Sequence, residues 1–460
     1  MDKQSRNWQA LVDGWIDTPV LAASSADAAA RLIADSLICG VAAAPLERSC
    51  ALRDLLVEAG GAEEAWAAGA PRRLPATAAA AANAEAMNLL DADDSFLNIS
   101  HFGALIVAVA LAEGERTGAD WGRVCRAVAA GFDLDARLIL AARAEPGYFA
   151  PGLMMPGAAM AAAIAAGVSA DEVRRAVGLS LRTAPAPATR QVSLAEITSY
   201  KYAPYAAIAE QAVKAARLAA QGYASPDDFL VATPGFLHAQ RAQTIRWDFL
   251  APSDDRWIER TSLKPFPSFR IGQPCVIAAA QAARGLSPDA IEKVELFLDP
   301  RARLLPFHHW RYPLEARAIE RPIAASMSLR VSVACTLAGI APGARWSARE
   351  TLERSDVREL YDLILVAEEP VFPAADLESL RDPRTGFVHD AFGRAVVHAG
   401  DERREALVTE LTGDPWVAGG EPDWDWLGVK ESAFLGSTRI VDGVARLGPR
   451  DDVRALLAAL

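Results

Sequence analysis

Residues 90–114 read LDADDSFLNISHFGALIVAVALAEG, and the two halves of this stretch obey different rules. From Ala104 to Ala112 every residue is apolar. A helix over Gly103–Gly114 is therefore apolar all round and belongs at the centre of a large helical body, not on its surface. The run is too short to span a membrane, which needs about 20 residues. Just before it, Asp91, Asp93 and Asp94 crowd three carboxylates into four positions. Such a cluster is either an exposed helix start that complements the dipole, or a buried set held by cationic partners. In the second case one member can act as an acid–base group or orient one. His101 follows at the start of the apolar helix. Its imidazole suits proton transfer near neutral pH, and the plain alternative is a hydrogen-bonded structural histidine.

The whole chain has 460 residues, 52% of them apolar, enough for a large core and for two or three domains. A formal net charge of −12 suits neither nucleic acid nor an anionic membrane. A small anionic substrate remains compatible with it, because a local cationic pocket outweighs screened, distant charge. Residues 1–20 show no continuous apolar core of a secretory signal. Cys39, Cys50, Cys125, Cys275 and Cys335 are scattered and odd in number, as expected for free thiols in a reducing cytoplasm. No phosphate loop, dinucleotide fingerprint, GxSxG or HExxH occurs, so no nucleotide, flavin or catalytic metal is expected.

Working outward, the first half is dense in Ala, Leu and Val and reads as helices. Ser25 is the expected N-cap of a helix carrying Leu32, Ile33 and Leu37. Over 202–221, Ala209, Val213, Ala216 and Ala220 line one face, Glu210, Lys214 and Arg217 another, and Gly222 is the stop. Near 260 the character changes. Lys264-Pro265-Phe266-Pro267 is non-helical punctuation. Beyond it come a helix over Pro274–Arg284, a strand at Val294–Leu298, a helix over Ser326–Ala338, a strand at Leu363–Val366 and a strand pair around Ala391-Phe392-Gly393. Residues 413–425 read as a surface loop, and helical composition returns from Trp424. The expected architecture is mainly α with a smaller α+β domain. A discontinuous helical domain, 1–260 plus 401–460, carries the α+β unit 261–400.

Two lysines stand at structural borders: Lys201 just before the 202–221 helix, and Lys264 at the proline-rich junction. Either can bind a carboxylate, and a desolvated lysine can act as a base, although most lysines only solvate a surface. Arg270 is a candidate carboxylate clamp through its planar fork. His308 and His309 are adjacent, point apart on most backbones and have no carboxylate at ligand spacing, so they read as structural. The acidic cluster also resembles a Mg²⁺-diphosphate box, but no second box accompanies it.

Taken in order, these segments resemble the MmgE/PrpD family, which includes 2-methylcitrate dehydratase, cis-aconitate decarboxylase and iminodisuccinate epimerase. The family's LDxDD run corresponds to Leu90–Asp94, followed by Ser95 and His101. Its ALAE helix corresponds to Ala110–Glu113, and its lysine before an Ala-rich helix to Lys201. Its K-P-x-P junction corresponds to Lys264–Pro267, with Gln273 opening the next helix, and a later element to Ala325–Ala334. The resemblance spans about 26–400. It implies a large helical domain with a smaller α+β lid, a homodimer, and an active site between the domains without metal or organic cofactor. Asp91, His101, Lys201 and Lys264 are then the expected catalytic residues.

The sequence also departs from the family. Phe149, in Gly147–Gly152, stands where a pocket histidine is expected, Phe269 replaces a histidine of the decarboxylase branch, and Val331 stands at a tyrosine. Fewer polar groups would neutralise a tricarboxylate poorly, since unpaired buried charge is costly. The expected activity is a cofactor-independent lyase or isomerase acting on a small, relatively apolar carboxylate. His101, supported by Asp91, would move the proton, and Lys201 and Lys264 would hold the anion. Ser95, Phe149, Phe269, Arg270 and Gln273 would line the substrate site, with Tyr148 and Tyr202 there as replacement proton donors. Two alternatives stay open: a tailoring enzyme that cyclises a larger intermediate, and a catalytically silent binding protein.

Overall fold

The computed structural model describes residues 3–18, 20–97, 100–144, 148–189, 197–226, 228–299, 315–368, 382, 384–385, 392–417 and 419–460. The helical body opens with α1 (Lys3–Ile16), α2 (Ala23–Ala43), α3 (Glu47–Ala59), α4 (Ala76–Leu89) and α5 (Gly103–Thr117). It continues with α6 (Trp121–Ala141), α7 (Met155–Ala166), α8 (Ala170–Ser180) and α9 (Ala203–Ala220). As its composition demands, α5 is buried from Gly103 to Glu115 and packs on α4, α6 and α7. α7 is buried from Met155 to Ala165. It crosses α6 so closely that a Cβ on Gly157 would lie 2.2 Å from the Gly131 carbonyl and 2.4 Å from Asp135 Cγ. Only a residue without a side chain allows that approach.

Local chemistry sets several ends. The Asp120 carboxylate accepts from the Arg123 amide at 2.8 Å to cap α6, and Ser169 and Glu172 form a capping box on α8. α9 runs as its pattern predicts, with Ala209, Val213 and Ala216 buried, but Ala220 is exposed and Ala219 takes the inward position. Ser25 is not a cap. α2 begins two residues earlier, and the Ser25 hydroxyl donates to Glu259 at 2.5 Å. Two small antiparallel ribbons, β1 (Ala142–Ala144) with β4 (Ala242–Ile245) and β2 (Tyr148–Phe149) with β3 (Ala188–Thr189), had no clear sequence signal.

The α+β unit contains α10 (Gln273–Ala282), α11 (Leu329–Leu337) and α12 (Ser355–Leu363), with β5 (Lys293–Leu298), β6 (Ile364–Glu368), β7 (Gly393–Ala399) and β8 (Glu402–Val408). The strands form one mixed sheet in the order β6-β5-β7-β8. β5 pairs with β6 in parallel, and β7 pairs with both β5 and β8 antiparallel. Alternate residues Val294, Leu296, Ala395 and Val397 face a core shared with Cys275, Val276, Val331 and Ala334. β7 and β8 are joined by a hairpin turn at Gly400-Asp401; of the strand pair expected around Ala391-Phe392-Gly393, Gly393 opens β7, and residues 386–391 lie outside the described residues. The sheet therefore runs through Val408, past the expected border at 400.

From there the chain returns to the body. α13 (Trp424–Leu435) and α14 (Arg439–Ala445) pack on α2, and α15 (Val453–Leu457) packs on α5. The fold is mainly helical with a smaller α+β part, and the helical part is discontinuous. Among the described residues no single helix is long and apolar enough to cross a membrane. The five cysteines are free thiols, and all but Cys50 are buried.

Candidate active site

The acidic run forms a buried turn between the C-terminus of α4 and the N-terminus of α5. Leu90 ends α4, and Asp91 then takes a left-handed conformation, φ 53°, which a non-glycine residue adopts only when its surroundings hold it there. The turn aims the Asp91 carboxylate at three cationic or basic groups from distant parts of the chain. Lys264 Nζ donates to Oδ1 at 2.6 Å and Lys201 Nζ to Oδ2 at 2.9 Å. His101 Nε2 lies 3.8 Å from Oδ1. Asp91 is 2% exposed, so the alternative of a solvated helix start is excluded.

The other carboxylates are just as enclosed. Asp93 accepts from Asn88 Nδ2 at 2.7 Å and lies 3.5 Å from Lys264 Nζ. Asp94 packs its carboxyl against Gly103 at the start of α5. Its main-chain carbonyl is 2.5 Å from His101 Nδ1. That contact requires a proton on Nδ1, which leaves the lone pair of a neutral imidazole on Nε2. Tyr205 fixes the same segment by donating to the His101 carbonyl at 2.5 Å.

Charge and burial act on these groups in opposite senses. Burial alone would raise the Asp91 carboxyl, but the Lys201 and Lys264 ammonium groups and His101 hold it far below the usual range. Asp94 is pushed well up by burial and by neighbouring Asp93. His101 is pushed down, first by burial and then by the Lys264 ammonium, which favours the neutral imidazole. Burial opposes the charge on Lys201, yet Asp91 reverses the balance and raises it.

Accessibility divides the set. Lys264 is fully buried, whereas the side chains of Lys201 and His101 are 16% and 25% exposed. His101 Nε2 and Lys201 therefore offer the accessible edge, and Asp91 with Lys264 forms the support beneath. Asp91, Asp93 and His101 also present ligand atoms within 4.8 Å of one another, a spacing suited to a cation. The Lys264 ammonium, 2.6 Å from Asp91, 3.5 Å from Asp93 and 3.5 Å from His101 Nδ1, already supplies positive charge at that point. The residues present do not favour a metal there.

The remaining candidates are placed unevenly. Ser95 pairs through its backbone with Ser262 at 2.8 and 3.2 Å, and its buried hydroxyl has no hydrogen-bond partner among the described residues. Tyr202 is fully buried among Cys39, Ala43, Leu90 and Ala92, with its hydroxyl 3.3 Å from Ser326 Oγ and Lys201 Nζ 4.5 Å above its ring. It is enclosed rather than poised at the accessible edge. Arg270 is buried and spends one arm of its fork on Asp414, which also accepts from Ser262 at 3.0 Å. Gln273 donates to the Phe266 and Ser268 carbonyls at 3.1 and 2.8 Å, which staples the turn after the junction. Phe269 is half-buried against Gly272, and Val331 lies inside the α+β core. The β2 backbone at Tyr148 and Phe149 pairs with β3, but their side chains, like His308 and His309, lie outside the described residues.

Two participants had no motif to announce them. Lys430 of α13 is buried beneath the turn, where it bonds Asp35 of α2 and donates to the Ala92 carbonyl at 2.6 Å. Burial pushes Asp35 up to about 6, against the pull of Lys430. The only sequence signal was an acid inside the apolar run of α2. Compared with known proteins, residues 18–244 match the MmgE/PrpD N-terminal domain. No curated protein matches the chain.

Proposed function

The chain belongs to the MmgE/PrpD family, which is consistent with a dehydratase- or lyase-type enzyme, and on that premise we propose a lyase or isomerase for a small acid with a single carboxylate. The arrangement of His101 carries this reading. Its Nδ1 is committed to the Asp94 carbonyl, its Nε2 is free to take a proton, and Asp91 lies 3.8 Å away to stabilise the imidazolium that results. Lys201 is the partly exposed cation beside it and binds the substrate carboxylate.

His101 Nε2 removes the proton from the carbon next to the carboxylate, and the C–H electron pair moves toward the adjacent carbon. In dehydration that pair forms a C=C bond while the C–O bond of a β-hydroxyl breaks, and the imidazolium passes its proton to the departing oxygen, which leaves as water. In isomerisation the pair resides on the carboxylate as an enediolate beside Lys201, a solvent water delivers a proton to the opposite face, and the imidazolium releases its own proton to solvent. Neither route changes the oxidation level of the system, so neither calls for a redox cofactor. Among the described residues of the set, Lys201, although bonded to Asp91, is the partly exposed ammonium, which supports a substrate with a single carboxylate. Lys264 is enclosed against Asp91 and Arg270 against Asp414, so neither stands at the accessible edge to neutralise the further charges of a tricarboxylate.

The test is a panel of short 2-hydroxy and 3-hydroxy monocarboxylates, with citrate as the tricarboxylate comparison, incubated in D2O and followed by proton NMR. The expected result is deuterium exchange next to the carboxylate, or enoate formation, for a monocarboxylate and not for citrate. His101→Gln should slow it on the order of 10²–10⁴-fold. Full turnover by that variant, or no exchange and no binding across the panel, overturns the proposal.

A further inference from the structure

The turn that carries Asp91 is held from below by a helix that arrives more than 300 residues later in the sequence. Lys430 Nζ donates to the Ala92 carbonyl, which lies in the Ala92–Asp93 peptide, the second peptide group after the Asp91 α-carbon at positive φ. The same amine is ion-paired with Asp35, and the Trp426 and Phe434 rings flank it at 6.0 and 5.4 Å. The Lys430 side chain is 1% exposed, so it meets no substrate. Asp35 reaches the site electrostatically as well, because both Asp93 and Lys264 act on its carboxyl.

We propose that Lys430 is a positioning residue, an amine of α13 that clamps the Ala92 carbonyl and so fixes the direction of the Asp91 carboxylate and the Asp94–His101 bond. The geometry gives it this work. Positive φ is less favourable than ordinary backbone even for aspartate, which tolerates it better than most residues, so a contact on the neighbouring backbone helps to hold the turn. The Ala92 carbonyl is a handle on it. A single buried ammonium bridges that handle to α2, the helix on which α13 packs. Without the bridge, the turn relaxes toward ordinary backbone angles, the Asp94 carbonyl moves away from Nδ1, and the imidazole loses its fixed tautomer. That this matters for turnover rests on the lyase or isomerase reading; the clamp itself does not.

The experiment therefore has two arms. Lys430→Met strands Asp35 and can fail to fold, so it is paired with the charge-neutral double variant Asp35→Asn/Lys430→Met and with Lys430→Arg. In the first arm, ¹⁵N-histidine-labelled full-length protein is examined without any ligand. The expected result is a single Nδ1–H tautomer for His101 in the unsubstituted chain. The double variant should show a tautomer mixture and at least tenfold faster amide exchange over 91–95, and Lys430→Arg should recover part of the protection. In the second arm, on any monocarboxylate the panel identifies, the double variant should lose at least tenfold in kcat with KM changed less than about twofold. A double variant that keeps the tautomer and the protection overturns the clamp. One that melts earlier but keeps kcat shows a purely structural lysine and also overturns the proposal. If no acid in the panel is turned over, the function reading falls while the first arm still decides the clamp.

Discussion

Lys264→Met offers the sharpest test of the buried charge set. The ammonium is fully buried and lies 2.6 Å from Asp91, 3.5 Å from Asp93 and 3.5 Å from His101 Nδ1. At an effective dielectric of about 20, the Asp91 contact alone is worth roughly 6 kcal/mol of attraction, most of which offsets the desolvation of the two ions. Methionine keeps most of the side-chain volume but leaves Asp91 with Lys201 as its one ammonium partner. Breaking a buried pair from one side costs on the order of 3–5 kcal/mol, which should lower Tm by roughly 3–5 °C in a chain of this length. The second effect falls on His101. The ammonium holds that imidazole down, so its removal should raise the His101 titration midpoint. Thermal melts at neutral pH and an NMR titration of the histidines read the two effects separately. The double variant Asp91→Asn/Lys264→Met should recover about 2–3 kcal/mol relative to the sum of the single changes. If the costs simply add and His101 titrates unchanged, Asp91 and Lys264 do not interact in solution and the site as described is wrong.

Two further predictions concern the body that holds the site. Asp135 is buried, with one oxygen accepting from the Gly157 amide at 2.7 Å and the other without a hydrogen-bond partner among the described residues, and burial pushes its carboxyl well up. A carboxyl raised in the folded state stabilises below its unfolded pKa, and that stability is lost as pH rises through the folded value. Asp135→Asn should therefore gain in Tm relative to the parent chain as pH goes from about 4 to 8, and a pH-independent difference between the two melting curves would refute the assignment. Gly157→Ala places a Cβ 2.2 Å from the Gly131 carbonyl and should cost about 1–3 kcal/mol or more, read as a lower Tm; an unchanged melt would mean that α6 and α7 do not cross as described.

The parts legible in the sequence are those where one physical rule dominates. An unbroken apolar run can only be a central helix, so α5 announced the body, and the alternation at Val294–Leu298 announced the sheet. Asp91, His101, Lys201 and Lys264 could be named because each stands at a break in pattern, and they do converge. What failed was ambiguous at the level of residues. The turn at Gly400 between β7 and β8 was not foreseen, and Gly393 serves close packing, since a Cβ there would lie 2.4 Å from the Cys275 amide nitrogen. Arg270 and Gln273 gave no sequence sign of their tertiary partners, Asp414 and the Phe266 and Ser268 carbonyls, which engage only part of each, since Arg270 Nε and Nη1 and Gln273 Oε1 have no hydrogen-bond partner among the described residues. Lys430 was invisible because a lone lysine on a helix is nearly always solvated.

The junction at Lys264 has a mechanical side. Everything just before Pro265 is tied to the helical part: Ser262 to Ser95, and Lys264 to Asp91. Just after it, Phe266 and Ser268 are held by Gln273 of the α+β part, while Arg270 reaches back to Asp414, the partner of Ser262. Pro265 thus parts two sets of ties along the chain, and the Lys264 ammonium stays on the side of its carboxylate, so the charge of the site is balanced within the helical part alone.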